Sequence, residues 1–182
     1  MSRPQPPERA KLVIGFFTRE KDIVDQIARD LSGNFGPIDL VSPWLPFDYT
    51  NYYEREMGAA LFRRIFAFQA LIEQSDLPGV KIKTNRIEDR YASKGKRLVN
   101  IDPGYLLLER FVLATGKNFA HRIYLGLGIY ADLTLIYQRG AFEKLPWTYP
   151  DYADQPVLGF LGKVRNKYAV ELKQQNKERA LP

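Results

Sequence analysis

One short segment concentrates side chains that can bind a ligand or exchange protons. Residues 48–56 read DYTNYYERE and carry three tyrosines and three acids in nine positions. Such hydroxyls donate hydrogen bonds, such rings stack on planar groups, and a carboxylate can act as a general base. The ligand contacts expected here are Asp48, Tyr49, Tyr52 and Tyr53. The alternative is a surface loop whose rings cover the core while their hydroxyls stay wet.

The single histidine suggests a second centre. His121 belongs to the residue type whose unperturbed pKa lies near neutrality, so ordinary acid–base catalysis would recruit it. Asp102 or Glu56 would then orient the ring, and Arg122 would stabilise developing negative charge. A hydrogen-bonded core histidine is the competing interpretation.

An amide and a carboxylate lie two positions apart in the run NIDPGY. We expect Asn100 and Asp102 to share a face at the end of a strand, where both would read the polar edges of a ligand. Asp-Pro-Gly is also a common turn, and a plain turn over residues 102–105 is the interpretation that these residue types favour. Two further ligand contacts are expected elsewhere: Arg63 would pair with phosphate alongside Arg122, and Trp147 would stack.

Basic residues suggest a third kind of surface. The formal net charge is +6, and its excess lies at the two ends of the chain. If residues 78–97 are helical, five basic side chains fall at spacings of three and four and form one stripe. They are Lys83, Arg86, Arg90, Lys94 and Arg97. The stripe would bind phosphates or an acidic partner; a solvated helix face is the alternative.

The composition excludes several classes of protein. The chain has no cysteine, which rules out disulfides, thiolate metal sites and a cysteine nucleophile. Phosphate-loop, dinucleotide, nucleophile-elbow and zinc-protease motifs are absent, so the sequence identifies no cofactor and predicts no metal site. A magnesium site at Asp48, Glu56 and Asp102 stays open. Without an apolar leader or a spanning segment, we expect a soluble, cytoplasmic protein with no membrane partner.

The elements predict one α+β domain over residues 11–182 after a disordered leader, residues 1–10. The order β-α-β, repeated and followed by hairpins, predicts a ferredoxin-like split βαβ half extended by an antiparallel β meander, with a C-terminal helix. Residues 61–71 fit a strand or a helix, and the aromatic content favours a strand. Residues 78–84 alternate like a strand, although a helix over 76–97 is preferred.

Four segments taken together resemble a known family. They are FDYTNYYEREMG, RLVNIDPGYL, HRIYLGLGIYADLTLIY and LPWTYPDY. Their order and spacing resemble an uncharacterised bacterial family, domain of unknown function 4416, from about Lys11 to the last helix. The resemblance implies a compact bacterial protein of this length and supplies no activity.

Three hypotheses of function follow. The leading one is binding of an anionic, phosphate-bearing ligand, a nucleotide or an RNA end, in a pocket of tyrosine, arginine and carboxylate groups. The second is a hydrolase or transferase that uses His121 as its acid or base. The third is an interaction protein that docks through the basic helix face. The oligomeric state is left open.

Overall fold

A computed structural model describes residues 3–50, 53–58, 60–93 and 95–179, without the side chains of residues 54, 55 and 175–179. The strands are β1 (Ala10–Thr18), β2 (Ile38–Val41), β3 (Leu45–Phe47), β4 (Leu61–Ile72), β5 (Ala92–Ser93), β6 (Lys96–Arg97), β7 (Val99–Leu106), β8 (Arg110–Thr115), β9 (Arg122–Gly126), β10 (Ile129–Gln138) and β11 (Ala141–Lys144). The α-helices are α1 (Val24–Phe35), α2 (Glu54–Met57), α3 (Leu77–Arg90) and α4 (Gln155–Arg179). Short 3-10 turns lie at Lys21–Ile23, Gln74–Asp76 and Pro150–Tyr152.

One antiparallel sheet organises these elements. Its strand order is β11-β10-β8-β7-β1-β4-β2, with β3 paired to β4 and β9 paired to β10. Helix α1 connects β1 to β2, and α3 leads from β4 to β7, so β7-β1-β4-β2 has the order of a split βαβ unit. β8, β10 and β11 continue it as a meander. The predicted α+β fold with its meander and C-terminal helix is confirmed.

The central strand β1 is buried along its whole length. Leu12, Ile14 and Phe16 pack with the apolar residues of α1 and α3 on one face. Val13 belongs to the cluster formed with α4 on the other face. A strand covered on both faces is apolar at nearly every position, which explains the run KLVIGFF.

A buried lysine connects α4 to the sheet. Lys11 is fully buried, and its Nζ lies 2.8 Å from Glu171 Oε2 on α4 and 2.7 Å from Asp39 Oδ2 on β2. A buried ammonium requires such partners. This network fixes the helix against the face of the sheet that carries the candidate site.

The predicted strand over residues 61–71 and the helical interpretation of residues 78–84 are confirmed by β4 and α3.

The prediction that the helix continues to Arg97 is wrong. The chain leaves the helix at Tyr91 and turns at Gly95, whose φ of +74° suits glycine, and Arg97 lies on β6. Lys94 is outside the described residues. The basic surface of α3 keeps three exposed members, which are Lys83, Arg86 and Arg90.

The turn expected after Asp102 is also wrong, because residues 102–105 lie inside β7. β7 pairs with β1 along its length, but it pairs with β8 only from Gly104 onward. The Ile101 N–H points away from β1 and donates to Glu88. Pro103 lies two positions further along β7, so its backbone nitrogen also points away from β1. Pairing with β1 therefore needs no N–H at position 103, and proline is tolerated.

The strands β9 and β10 form one of the hairpins that the sequence predicts, and its turn lies at Gly126-Leu127-Gly128. Among the described residues, no helix is both long and apolar enough to cross a membrane.

Candidate functional site

Cross-strand pairing with β1 brings polar side chains of β4 and β7 onto the face of the sheet that α4 covers. Phe17 of β1 is opposite both Arg63 of β4 and Asn100 of β7, while Gly15 is opposite Asp102. Directly opposed residues of antiparallel strands share a face. Residues from α2, α3, β6 and the 3-10 turn join them to form what we call the β7 cluster. Its members are Glu56, Arg63, Lys81, Glu88, Arg97, Asn100, Asp102, Asp151 and Tyr152.

Asn100 and Asp102 form the centre of the cluster. The Asn100 amide donates a hydrogen bond of 2.9 Å to Asp102 Oδ2 and accepts one of 3.0 Å from Arg97 Nη1. Lys81 Nζ lies 3.9 Å from Asp102 Oδ1. Asn100 is buried, whereas the Asp102 side chain is 29% exposed. Asp102 is therefore the central group that a ligand can reach from solvent.

Arg97 and Glu56 form the partly exposed rim of the cluster. Arg97 Nε and Nη2 donate to the two carboxylate oxygens of Glu56, each at 2.7 Å. These hydrogen bonds lower the pKa of Glu56 below its ordinary value. Tyr53 is close by, with its ring centroid 6.0 Å from Arg97 Cζ. The pair thus connects α2 to β6 beside the Asn100 amide.

Arg63 lies in the interior of the cluster, with 3% of its side chain exposed. Its guanidinium pairs with Asp151 and lies between two rings, with Cζ 4.9 Å from the centroid of Phe47 and 4.4 Å from that of Tyr152. Its Nε has no hydrogen-bond partner among the described residues. A buried donor without an acceptor costs about 1–3 kcal/mol, so Nε marks a place where an oxygen atom would be favourable.

The Tyr152 hydroxyl is a second buried donor. It too has no hydrogen-bond partner within the described part of the chain. It lies directly above Gly15, where a Cβ would be only 2.8 Å from Tyr152 Oη. Burial raises the pKa of Tyr152 well above its ordinary value, and burial also raises that of Asp151 although Arg63 opposes it. Glycine at position 15 leaves the room that the Tyr152 hydroxyl occupies over β1.

Lys81 and Glu88 cover the outer edge of β7. Glu88 Oε1 accepts the Ile101 N–H at 2.5 Å, and Lys81 Nζ donates to the Ile101 carbonyl at 2.8 Å. Burial raises the pKa of Glu88 to about 7, against the opposing effect of Lys81. Sequence reasoning missed both as site residues. Their spacing of seven puts them on one face of α3, beside the buried Thr84, and this was the available signal.

His121 and Arg122 lie in a separate group that we call the His121 cluster. The ring of His121 stacks on Trp147 at 4.9 Å, and its buried Nε2 is 3.4 Å from Asp132 Oδ2 without a hydrogen bond. Arg122 donates to Asp132 Oδ2 at 2.9 Å and to the Tyr149 hydroxyl at 2.7 Å. The expectation that Asp102 or Glu56 orients His121 is wrong, because Asp132 takes that place.

Nine of the predicted site residues lie in or beside one of these two clusters. Those brought together in or beside the β7 cluster are Glu56, Arg63, Arg97, Asn100, Asp102 and Tyr53. Those placed in the His121 cluster are His121, Arg122 and Trp147. Asp48 and Tyr49 are exposed, and Tyr49 donates a 2.6 Å hydrogen bond to Asp154. Tyr52 lies outside the described residues. The segment 147–152 joins the two groups, since Trp147 contacts His121 and Asp151 contacts Arg63.

Two surface grooves lie away from the β7 cluster. One of about 670 Å³ is formed by α1, α3 and the β9–β10 turn, with Phe35, Val80 and Leu127 in its lining. One of about 430 Å³ lies by Asp30 and Arg90. No residue of the β7 cluster lines either groove. Within the described ranges, no three histidine or acidic side chains are grouped to hold a metal ion.

The sheet order, the C-terminal helix and this polar centre define an α+β protein with a mixed-charge site on one face of a split βαβ sheet. A family model described as a domain of unknown function (DUF4416) matches residues 8–168. The chain belongs to that family. Comparison with curated proteins and with solved structures found no match.

Proposed function

We propose that the β7 cluster binds a small anionic ligand that carries a phosphate group, such as a nucleotide or an RNA end. The proposal rests on the convergence of three cationic side chains around Asp102, the partly exposed acid of β7. Lys81 comes from α3, Arg63 from β4 and Arg97 from β6. Charge-assisted hydrogen bonds from such groups are the strong contacts that proteins make to phosphate.

The carboxyl groups of the β7 cluster should make anion binding depend on pH. Four carboxyl groups, those of Glu56, Glu88, Asp102 and Asp151, face the three cations. Two of them, Glu88 and Asp151, have raised pKa values because they are buried. Each one that takes up a proton shifts the local charge toward positive. We therefore infer that the site accepts an anion more readily as Glu88 becomes neutral below about pH 7.

The rest of a nucleotide offers groups that match the polar centre. The partly exposed Asp102 accepts hydrogen bonds from a sugar hydroxyl or a base amine, and Asn100 holds it in place at 2.9 Å. Ligand oxygens that enter beside Asp102 would also give acceptors to the two unpaired donors, Arg63 Nε and Tyr152 Oη. Tyr49 and Tyr53 contribute rings near Phe47.

Two observations favour this function over the other hypotheses. The catalytic arrangement expected from the sequence is not formed, because Asp102 and Glu56 belong to the β7 cluster whereas His121 lies against Asp132. The docking hypothesis expected five basic residues on one helix. Three of them, Lys83, Arg86 and Arg90, lie exposed on α3 among the described residues, so the basic surface is smaller than expected.

Titration calorimetry with nucleoside phosphates and the matching nucleosides tests the proposal. Binding of the phosphate-bearing compound, with at least about tenfold weaker binding of the nucleoside, is expected. Lys81→Met should weaken binding by about tenfold or more. Lys83→Met, an exposed lysine on the same helix, should leave it unchanged. Equal affinity for nucleotide and nucleoside, or equal losses in the two variants, would contradict the proposal.

A further inference from the structure

Three N–H donors of one residue converge on a single carboxylate at the rim of the β7 cluster. Arg97 Nε and Nη2 donate to Glu56 Oε1 and Oε2, each at 2.7 Å, and the Arg97 backbone N–H donates to Glu56 Oε1 at 3.3 Å. The planar edge of a guanidinium matches two oxygens of a carboxylate or of a phosphate equally well. The position that the Glu56 carboxylate occupies therefore also fits a phosphate group.

The Arg97 guanidinium has contacts that orient it independently of Glu56. Its third nitrogen, Nη1, donates to Asn100 Oδ1 at 3.0 Å and lies 3.8 Å from Glu88 Oε2. Asn100 and Glu88 are both buried, on β7 and α3. Donors that are already fixed bind an anion without the entropy cost of ordering them. Arg97 can therefore receive a phosphate group in the orientation in which it now holds Glu56.

Glu56 is the exchangeable partner in this ion pair. The side chains of Arg97 and Glu56 are 33% and 31% exposed, and ion pairs open to solvent contribute little stability because water and salt screen them. The next residue, Met57, is buried in an apolar cluster with Phe17 and Phe47. That cluster holds α2 in place while the Glu56 side chain turns toward solvent. Displacement of the carboxylate therefore requires only a change of side-chain rotamer.

We propose that Glu56 is an internal competitor for the phosphate group of the ligand. In the free protein its carboxylate occupies the Arg97 donors, and the bound phosphate displaces it into solvent. This inference rests on the proposed function of the β7 cluster and adds the atoms that hold the phosphate, which are Arg97 Nε, Nη2 and backbone N–H. Anions then bind less tightly than these donors alone would allow, because the binding-competent state is only a fraction of the population.

Two variants of Glu56 separate displacement from a general effect of charge. Glu56→Gln removes the negative charge, whereas Glu56→Asp keeps it on a side chain too short to contact both nitrogens as Glu56 does. Phosphorus NMR titration with inorganic phosphate near neutral pH measures the affinity of each protein. Both variants should bind phosphate roughly twofold to fivefold more tightly than the wild type, which is the range that an exposed ion pair supplies. In an Arg97→Met background, neither change should increase the affinity.

Tighter binding in Glu56→Gln alone would indicate a general effect of charge and would overturn the inference. A gain that persists in the Arg97→Met background would overturn it as well, and so would the absence of phosphate binding in every variant. The nucleotide titration of the wild type tells the two possible failures apart. If the nucleotide binds and the Glu56 variants show no gain, only this inference fails, whereas a wild type that binds no nucleotide contradicts the proposed function itself.

Discussion

Arg97 and Glu56 form a two-point ion pair, with both nitrogen–oxygen distances at 2.7 Å, across forty-one positions of the chain. The planar guanidinium matches the carboxylate, whereas a lysine ammonium offers a single point of charge. Arg97→Lys should therefore loosen α2 against β6 and lower the free energy of unfolding by about 1 kcal/mol. Urea unfolding measures this, with Arg86→Lys on the exposed face of α3 as the control. Equal small losses in both variants would contradict the role of the pair.

Glu88 should make the stability of the fold depend on pH. Its pKa is about 7 in the folded protein against an ordinary value of 4.5. The folded state therefore binds this proton more tightly than the unfolded state, and the free energy of unfolding falls as pH rises from 4.5 to 7. The loss amounts to about 3 kcal/mol and levels off at higher pH.

Glu88→Gln should remove this pH dependence. The Gln amide oxygen can accept the Ile101 N–H as the protonated acid would, so the variant imitates neutral Glu88. Urea unfolding across this pH range should show the variant gaining stability relative to the wild type as pH rises. A constant difference between the two proteins would show that Glu88 titrates at its ordinary pKa. The same variant should flatten the pH dependence of ligand affinity.

Gly15→Ala should destabilise the β7 cluster, because Gly15 of β1 lies directly under the Tyr152 hydroxyl. The new methyl group would lie 2.8 Å from Tyr152 Oη, closer than carbon and oxygen atoms pack. We expect a loss of about 1–3 kcal/mol in the free energy of unfolding, because the new methyl group and the buried Tyr152 hydroxyl have no free space into which to move. The control is Gly79→Ala on α3, where no atom lies within 4 Å of the added Cβ.

Tyr152→Phe removes the hydroxyl that meets this methyl group. In the double variant with Gly15→Ala, the combined loss should be smaller than the sum of the two single losses. Additive losses would mean that the two residues do not meet as described.

Lys11→Met should strongly destabilise the protein. The change removes the buried cation that Glu171 and Asp39 share and leaves them only the more exposed Lys167. Removing one partner of a buried pair costs about 3–5 kcal/mol, and the remaining Lys167 places this loss at the lower end. Lys173→Met, an exposed lysine of α4, is the control and should change stability little. Thermal unfolding followed by circular dichroism compares the two. A similar melting temperature for both variants would contradict the structural role given to Lys11.

Local patterns were sufficient to predict much of the fold. A short run dense in β-forming residues indicates β1, inward apolar residues at helical spacing indicate α1, α3 and α4, and Gly126-Leu127-Gly128 indicates the turn of the β9–β10 hairpin. The errors occurred where tertiary contacts override local chemistry. Asp-Pro-Gly favours a turn, but pairing with β1 keeps residues 102–105 extended. The helix after Leu77 ended early because the chain turns back at Gly95.

The site was harder to predict than the fold. Asn100 and Asp102 were found because strand alternation places them on one face. Asp132 and Asp151 were missed because sheet register and the path of segment 147–152 bring them to their partners. Such contacts depend on long-range pairing, which residue spacing along the chain does not encode.

The most direct test of the β7 cluster as an anion site is native mass spectrometry of the freshly purified protein, set beside its denatured mass. We expect an excess mass in the native state that reappears after incubation with a mixture of nucleotides. It should be lost in Lys81→Met and kept in Lys83→Met. Equal native and denatured masses per chain, even after that incubation, would contradict the proposed function.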